Sequence, residues 1–293
     1  MDKTSIVLLQ QRDFGQKMNA SFEFAMQNFG PLVRVLAFIA GPSALLSGIA
    51  QGLFQSRMLT AVKATDPFGM FGQYMVTEYI FVVFFSVITY FLSCSAVNAF
   101  MVLYEEKGSS QDLTPPVVWN KLVENIGAGI GSQIISVLLI LIGFVLLFFP
   151  GVYLTVCFQF ILMVAIREKL SATGSLSRSY ELIKGKWWST FGLLVIMSIV
   201  VSILAMVFQL PTLVITIMNA LGFGNGLANL KGVIIVASAI SMVGTTVTQG
   251  LLWIAIAFQY YNLVERLEGS GLRSEIASMG NSDAERPNSE DRF

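Results

Sequence analysis

Long apolar stretches dominate the chain and are separated by short polar segments. Residues 125–166 carry no charged side chain, and the other uncharged windows are 35–56, 79–104, 187–230 and 232–264. Each window can hold the about 20 apolar residues that a helix needs to cross the hydrocarbon core of a bilayer. The windows are continuously apolar, whereas the strands of a membrane β-barrel alternate apolar and polar residues. The pattern therefore predicts an all-α, polytopic integral membrane protein.

The window 125–166 is too long for one crossing. A single helix over its length would measure roughly 60 Å, about twice the hydrocarbon thickness. Pro150 lacks the N–H that a continuing helix uses and Gly151 tolerates almost any backbone conformation, so a tight turn is predicted at this pair. The window then forms a hairpin, and the chain has about six transmembrane helices. The predicted spans are about 33–54, 77–103, 128–149, 151–167, 189–210 and 233–262.

A proline inside one apolar window and a polar C-terminal segment modify this pattern of spans. Pro211 lies in the window 187–230, so we expect the fifth helix to end or kink there, with 212–222 as a short outer or re-entrant helix. Residues 281–293 have too little apolar surface to fold and are predicted to be a disordered cytoplasmic tail. Residues 1–280 are predicted to be a single membrane domain.

The distribution of basic residues predicts the orientation, because Lys and Arg near span ends are retained on the cytoplasmic side. With both termini inside, fifteen basic residues are cytoplasmic and three are outside. The inside set is Lys3, Arg12, Lys17, Arg34, Lys107, Lys121, Arg167, Lys169, Arg178, Lys184, Lys186, Arg266, Arg273, Arg286 and Arg292. The outside set is Arg57, Lys63 and Lys231. We therefore predict an N-in and C-in protein.

Three amphipathic stretches precede predicted spans on the cytoplasmic side. They are about 14–29, a stretch that begins at Pro115-Pro116, and about 175–184. Each places apolar residues on one helical face and would lie in the headgroup region as an interfacial elbow helix. The alternative is that these stripes are the cores of cytoplasmic loops.

The third stretch has end signals of its own. Thr173 or Ser175 can cap the first free amides of a helix, and Gly185 can adopt the left-handed conformation that ends one. Trp187 and Trp188 follow, and their amphipathic rings suit the membrane interface.

Composition agrees with membrane residence and excludes several kinds of chemistry. The chain is 55% hydrophobic and 12% charged, with a net charge of zero that gives no indication of nucleic-acid binding. It contains no histidine, which excludes His-ligated zinc or haem and Ser-His-Asp catalysis. The glycines at 127, 129 and 131 lie at a span entrance, where close helix packing through Gly127 and Gly131 is expected instead of nucleotide binding. No catalytic residue, cofactor or metal is predicted.

Neutral polar residues remain inside the predicted spans. Gln133 and Gln159 should face each other across the hairpin. They can form hydrogen bonds between helices, or they can line a polar cavity for a lipid headgroup or small molecule. The sequence leaves both possibilities open.

One motif carries a family resemblance. Pro150-Gly151-Val152-Tyr153 is followed by Arg178-Ser179-Tyr180-Glu181-Leu182-Ile183-Lys184-Gly185. This succession resembles the "PG … rSxxLxkG" signature of polytopic bacterial membrane domains, similar to the membrane domain attached to some glycerophosphodiester phosphodiesterases. The segments 28–32 and 260–272 resemble a stand-alone six-span branch common in Bacteroidota. The resemblance implies a bacterial cytoplasmic membrane protein in which Pro150, Gly151, Arg178, Ser179, Leu182 and Gly185 are structural. No enzyme activity follows from it.

Two classes of function stay open at this stage. The first is a non-enzymatic membrane module that supports membrane-protein assembly or envelope lipids, with membrane lipids and other membrane proteins as partners and no nucleic acid. The second is a transporter or flippase-like permease for an uncharged or amphipathic solute. An enzyme ranks behind both, because no nucleophile and base occur in a recognisable arrangement.

Overall fold

The computed structural model describes residues 6–61, 75–221 and 230–269. Within these ranges the chain is helical and has no strand, which confirms the predicted all-α class. The predicted tail 281–293 and the segment 222–229 lie outside the described residues. The helices are α1 (Phe14–Gln27), α2 (Phe29–Ile39), α3 (Gly41–Ala61), α4 (Met75–Lys107), α5 (Pro115–Val123), α6 (Ile126–Leu146), α7 (Phe148–Cys157), α8 (Ile161–Arg167), α9 (Ala172–Ile183), α10 (Trp187–Ala220) and α11 (Leu230–Glu268).

Five helical stretches of the described chain are long and apolar enough to cross a membrane. A sixth is present if the bent pair Phe29–Ile39 and Gly41–Met58 counts as one span. The five are Val76–Lys107, Ile126–Leu146, Phe148–Arg167, Trp187–Met218 and Lys231–Glu268. The protein is therefore a helical membrane protein with five to six candidate membrane-spanning helices.

The turn of the hairpin lies three residues earlier than predicted. Leu147 is the extended residue between α6 and α7, with φ −161° and ψ 151°. Pro150 lies in the first turn of α7. Backbone N–H groups in the first turn have no acceptor within the helix, so a proline there breaks no helical hydrogen bond. Gly151 is helical and allows close contact with α6, because a Cβ on it would lie 2.4 Å from Cγ of Phe144. The prediction of a turn at Pro150-Gly151 was wrong, and the pair instead begins the returning helix.

The first predicted span is bent. Helices α2 and α3 meet at Ala40 at an angle of 63°. Gly41 and Pro42 follow, and Pro42 can neither donate a backbone hydrogen bond nor pack its ring inside a straight helix. The predicted span over 33–54 did not include this break.

The expected end of the fifth helix at Pro211 is wrong, whereas the alternative expectation of a kink there stays a prediction. The helix continues from Trp187 to Ala220 through the proline. The hydroxyl of Ser241 on α11 donates to the carbonyl of Phe208 (2.5 Å), and Thr212 donates to the carbonyl of Gln209 (2.7 Å). Side-chain donors of this kind satisfy carbonyls near a proline and allow it inside a membrane helix.

The hydrophobic core lies at one end of the molecule. Residues 93–104 of α4 and 253–265 of α11 are buried, whereas the opposite halves of both helices expose many apolar side chains. Phe24 of α1 packs edge-on against Phe100, Tyr104 and Phe258, with ring centroids 4.8–6.2 Å apart. The short helices α1, α5 and α9 pack around the long helices. The opposite halves are apolar outside, as helices facing lipid are.

Helix α4 has an ion pair near each of its ends, and these two pairs define two charged levels. Glu78 near its start pairs with Arg57 of α3 (2.7 Å), and Glu105 near its end pairs with Arg167 (2.7 Å). These levels are hereafter the Glu78 end and the Glu105 end. They are roughly 40 Å apart along the helix at 1.5 Å per residue, about the thickness of a bilayer with its headgroups. Residues 79–104 between them carry no charge.

Close helix packing occurs through glycines that the sequence analysis did not select. A Cβ on Gly48 or Gly52 of α3 would lie 2.6 Å from the Cα of Ala239 or Ile235 on α11. Gly131 approaches Ala172 at 3.2 Å, but a Cβ on Gly127 would meet nothing within 4 Å. The predicted role of Gly127 in close packing was therefore wrong.

Gly52→Ala should lower the free energy of unfolding by about 1–3 kcal/mol, because the new methyl group overlaps the α11 backbone. Gly127→Ala is the control and should keep or raise the stability by up to about 1 kcal/mol, since Ala favours a helix where space is open. Thermal and denaturant unfolding in mild detergent would measure both. Equal effects would contradict the packing interpretation.

Candidate functional site

Ser179 bridges the break between α7 and α8. Its hydroxyl donates to the carbonyl of Cys157 (2.7 Å) and accepts from the N–H of Phe160 (3.3 Å). In a continuous helix Ile161 N–H would bond to the Cys157 carbonyl, but here it bonds to Phe158. One buried side chain thus satisfies both backbone groups that the break leaves free. This is a structural role for the serine of the sequence motif.

Arg178 connects three carboxylates. It bonds to Glu168 at the end of α8 (3.0 Å), to Glu181 on its own helix (3.4 Å) and to Glu268 at the end of α11. Partial burial disfavours its charge, but Glu168 and Glu268 more than compensate and raise the pKa of Arg178. The guanidinium therefore stays charged and holds α9 against the ends of α8 and α11.

Arg167 extends this network to α4. It forms a two-pronged pair with the carboxylate of Glu105 (2.8 and 2.7 Å). Tyr261 donates to Glu105 (2.9 Å), and Tyr260 donates to Glu168 (2.6 Å) while accepting from Arg167 (3.3 Å). A continuous chain of hydrogen bonds thus links α4, α8, α9 and α11 at the Glu105 end. No local sequence pattern indicates that Glu105 and Glu168 share one network, because its residues come from four segments that are distant in the sequence.

The other motif residues act locally. Leu182 is buried at 2% exposure in the core, and Gly185 has a φ of +77°, which confirms the predicted left-handed end of this helix. The predicted caps Thr173 and Ser175 were wrong, since Ser171 accepts from the N–H of Gly174 (3.3 Å). The second part of the motif, residues 178–185, thus builds a joint between α7, α8, α9 and α11, whereas Pro150 and Gly151 lie just after the hairpin turn.

The charged and tyrosine side chains of the joint bond to one another and hold helix ends together. Arg167 and Arg178 are each bonded to carboxylates, and both tyrosine hydroxyls donate to carboxylates. The arrangement holds the ends of α4, α8 and α11 together with α9.

Lys17 is a buried cation beside this joint. Its side chain is 3% exposed, and Nζ donates to Gln259 on α11 (2.7 Å) and lies 3.5 Å from the Ser189 hydroxyl on α10. Within the described residues no carboxylate lies within 4.0 Å of Nζ. Burial lowers the pKa of Lys17, and the charges of Arg266 and Lys186 lower it further against the opposing effect of Asp13. Lys17 therefore fastens α1 to α10 and α11 at an electrostatic cost.

Gln133 and Gln159 line one cavity, together with Ser136, Tyr90, Cys94 and Trp253. Gln159 donates to the Thr155 carbonyl (3.1 Å). The cavity, hereafter the inner cavity, has a volume of about 70 Å³. Ligand pockets have volumes of about 300–1,000 Å³, so the inner cavity has room for a few waters and none for a lipid headgroup.

Two larger openings flank α10 toward the Glu78 end. The first, the polar cleft, has about 370 Å³ and is lined by Gln55, Gln209, Thr212 and Thr216 among apolar residues. The second, the apolar groove, has about 480 Å³. It is lined by Pro211, Ile215, Gly232, Val233, Val236, Ala237 and Ile240. Both lie between α10 and neighbouring helices, and neither is a central passage.

Residues 31–263 match a family described as "Domain of unknown function (DUF7847)". The chain belongs to this family. The matched range includes both charged levels, the motif joint except Glu268, the inner cavity and the two openings beside α10. No curated protein and no solved structure matches the chain significantly.

Ser179→Ala should lower the free energy of unfolding by about 1–3 kcal/mol, because it leaves the buried Cys157 carbonyl and Phe160 N–H without partners. Ser177→Ala is the matched control, since Ser177 is exposed on the same helix. Unfolding in detergent and hydrogen exchange at residues 156–161 would show the difference. An unaffected Ser179→Ala protein would refute the bridging role.

Because of Lys17, the free energy of unfolding should increase as the pH rises on the alkaline side. The pKa of Lys17 in the folded state is below its ordinary value of 10.5. In the pH range between these two pKa values the unfolded state binds more protons than the folded state, so raising the pH favours folding. The contribution is at most about 1.4 kcal/mol per pH unit. Lys17→Met should remove this part of the slope when unfolding midpoints are compared between pH 7 and 10. Lys107→Met, at an exposed site, should not; equal slopes in all three proteins would contradict the assignment.

Proposed function

We propose that this protein is a non-enzymatic membrane module of the bacterial cytoplasmic membrane that supports membrane-protein assembly or envelope lipid organisation. The observation that carries the proposal is the braced Glu105 end. There a chain of ion pairs and tyrosine hydrogen bonds fixes four helices, and short helices surround them. Such a rigid assembly suits a scaffold.

The proposed topology has six spans with both termini in the cytoplasm, counting α2 and α3 as one bent span. The Glu105 end is the cytoplasmic end in this arrangement. Its support is the charge asymmetry: Arg167, Arg178, Lys184 and Lys186 follow one end of the hairpin, whereas Arg57 pairs at the opposite end of α4. Basic residues near span ends favour the cytoplasm.

The short helices are proposed to lie at the cytoplasmic headgroup layer. Large apolar side chains remain exposed on or beside them, including Met26 (74%), Tyr180 (46%) and Trp188 (78%). Lys184 and Lys186 are exposed nearby. Aromatic rings with flanking lysines favour an interface that carries anionic lipids.

The permease alternative has less support. The polar pair Gln133 and Gln159, which could have lined a solute path, encloses only about 70 Å³. The larger openings are lateral. The proposed relation to the phosphodiesterase-attached membrane domains rests on the motif, whose residues 178–185 contribute to the joint and whose Pro150 and Gly151 lie just after the hairpin turn.

Purification of the full chain from its native membrane, with protein and lipid mass spectrometry, tests the proposal. A stoichiometric membrane-protein partner or selective retention of anionic phospholipid is expected. Replacing Lys184 and Lys186 by Gln should weaken the retention of anionic lipid by up to about thirtyfold, since each lysine near the surface contributes about 1 kcal/mol. Lys231→Gln, at the Glu78 end, is the control. A polar solute that copurifies without partner or lipid selectivity would favour a permease and contradict the proposal.

A further inference from the structure

The polar cleft lies at the level of a membrane surface. Gln55, on its α3 side, precedes Arg57 by two residues, a rise of about 3 Å. Arg57 pairs with Glu78, which marks the charged level opposite the braced end. In the proposed topology this is the outer surface, so the cleft opens where the headgroups of outer-leaflet lipids lie.

Two amide side chains supply hydrogen-bonding groups in the cleft. Gln55 donates to Thr216 (2.9 Å) and accepts from Ser238 (3.4 Å), which leaves its second N–H available. Gln209 is exposed, and its side chain forms no hydrogen bond with any residue in the described part of the chain. An amide presents both donors and an acceptor, a combination that matches hydroxyl groups.

Among the residues that the structure describes, no charged side chain lines the polar cleft or the apolar groove. Arg57 is engaged with Glu78, and Lys231 precedes Gly232 without lining either opening. A phosphate binds best to Arg or Lys side chains, and the described lining of the cleft contains neither. The lining therefore favours an uncharged headgroup.

The apolar groove provides a place for a hydrocarbon chain beside the cleft. Pro211 lines the groove and Thr212 lines the cleft, so the two openings flank the same turn of α10. A Cβ on Gly232 would meet nothing within 4 Å, which shows that the groove is open at this point. A molecule with a hydroxyl-bearing head and an acyl chain can occupy both.

We propose that the polar cleft and the apolar groove together form a binding site for an outer-leaflet lipid with an uncharged, hydroxyl-bearing headgroup. Gln209 and Gln55 bind the hydroxyls, and the acyl chain lies along Pro211, Val236 and Ile240. The inference rests on the proposed lipid-organising function and names the lipid class that the module holds.

Photo-crosslinking tests the site. The full chain is reconstituted in phosphatidylcholine vesicles that contain either a diazirine-bearing diacylglycerol or a diazirine-bearing phosphatidylglycerol. The diacylglycerol probe is expected to label residues 206–216 and 232–240. Gln209→Leu should reduce this labelling about fivefold, the effect of one lost hydrogen bond. Gly232→Leu should also reduce it, by filling the groove.

Gln133→Leu is the matched control, because it changes a glutamine of the inner cavity and should leave labelling intact. Equal unfolding midpoints for Gln209→Leu and the unchanged protein would show that the loss is not a folding defect. Equal labelling of the cleft by phosphatidylglycerol, crosslinks to a second copy at these residues, or full labelling of Gln209→Leu would each overturn the site. The proposed function can fail independently of the site. If partners or anionic lipids are retained at the cytoplasmic end and the cleft is not labelled, the function is supported and the site is rejected. If the cleft is labelled and no such partners or lipids are retained, the site is supported and the function is rejected.

Discussion

The cost of placing a charge in hydrocarbon organises the whole structure. That cost is about 2.5–3.5 kcal/mol even on insertion-based scales, and larger for an isolated buried ion. Helix α4 accordingly keeps its ionic contacts at Glu78 and Glu105, with an uncharged stretch between them. The pairing partners Arg57 and Arg167 come from other helices, so the same constraint that sets the two levels also aligns neighbouring helix ends.

At the Glu105 end this constraint produces a joint. Removing one member of a buried ion pair leaves the other charge uncompensated, so the members of the network hold one another in place. Arg167 and Arg178 are linked through Tyr260 and Glu168, and the backbone gap between α7 and α8 is closed by Ser179. Lys17 adds a contact between α1, α10 and α11 that is electrostatically unfavourable, because burial lowers its pKa.

The two ends differ in packing. The braced end has a core of buried aromatic rings, among them Phe24 and Phe258, whereas the opposite end has glycine contacts and lateral openings. Glycines at 48 and 52 bring α3 against α11, but α10 leaves space on both sides near Pro211. A rigid end and an open end suit a scaffold that holds proteins or lipids at one surface and admits a lipid at the other.

The sequence by itself determined the helical membrane class, the existence of the short helices, and the left-handed end at Gly185, because apolar length, amphipathic period and glycine conformation are local properties. Only the tertiary structure decided the bend at Ala40, the turn at Leu147 and the continuity of α10 through Pro211, since neighbouring side chains and close contacts outweigh local preference there. It also decided that Gln133 and Gln159 enclose only a water-sized cavity while Gln55 and Gln209 line a larger cleft. Which polar groups meet depends on how helices that are distant in the sequence pack together, and this packing cannot be deduced from local patterns in a single sequence.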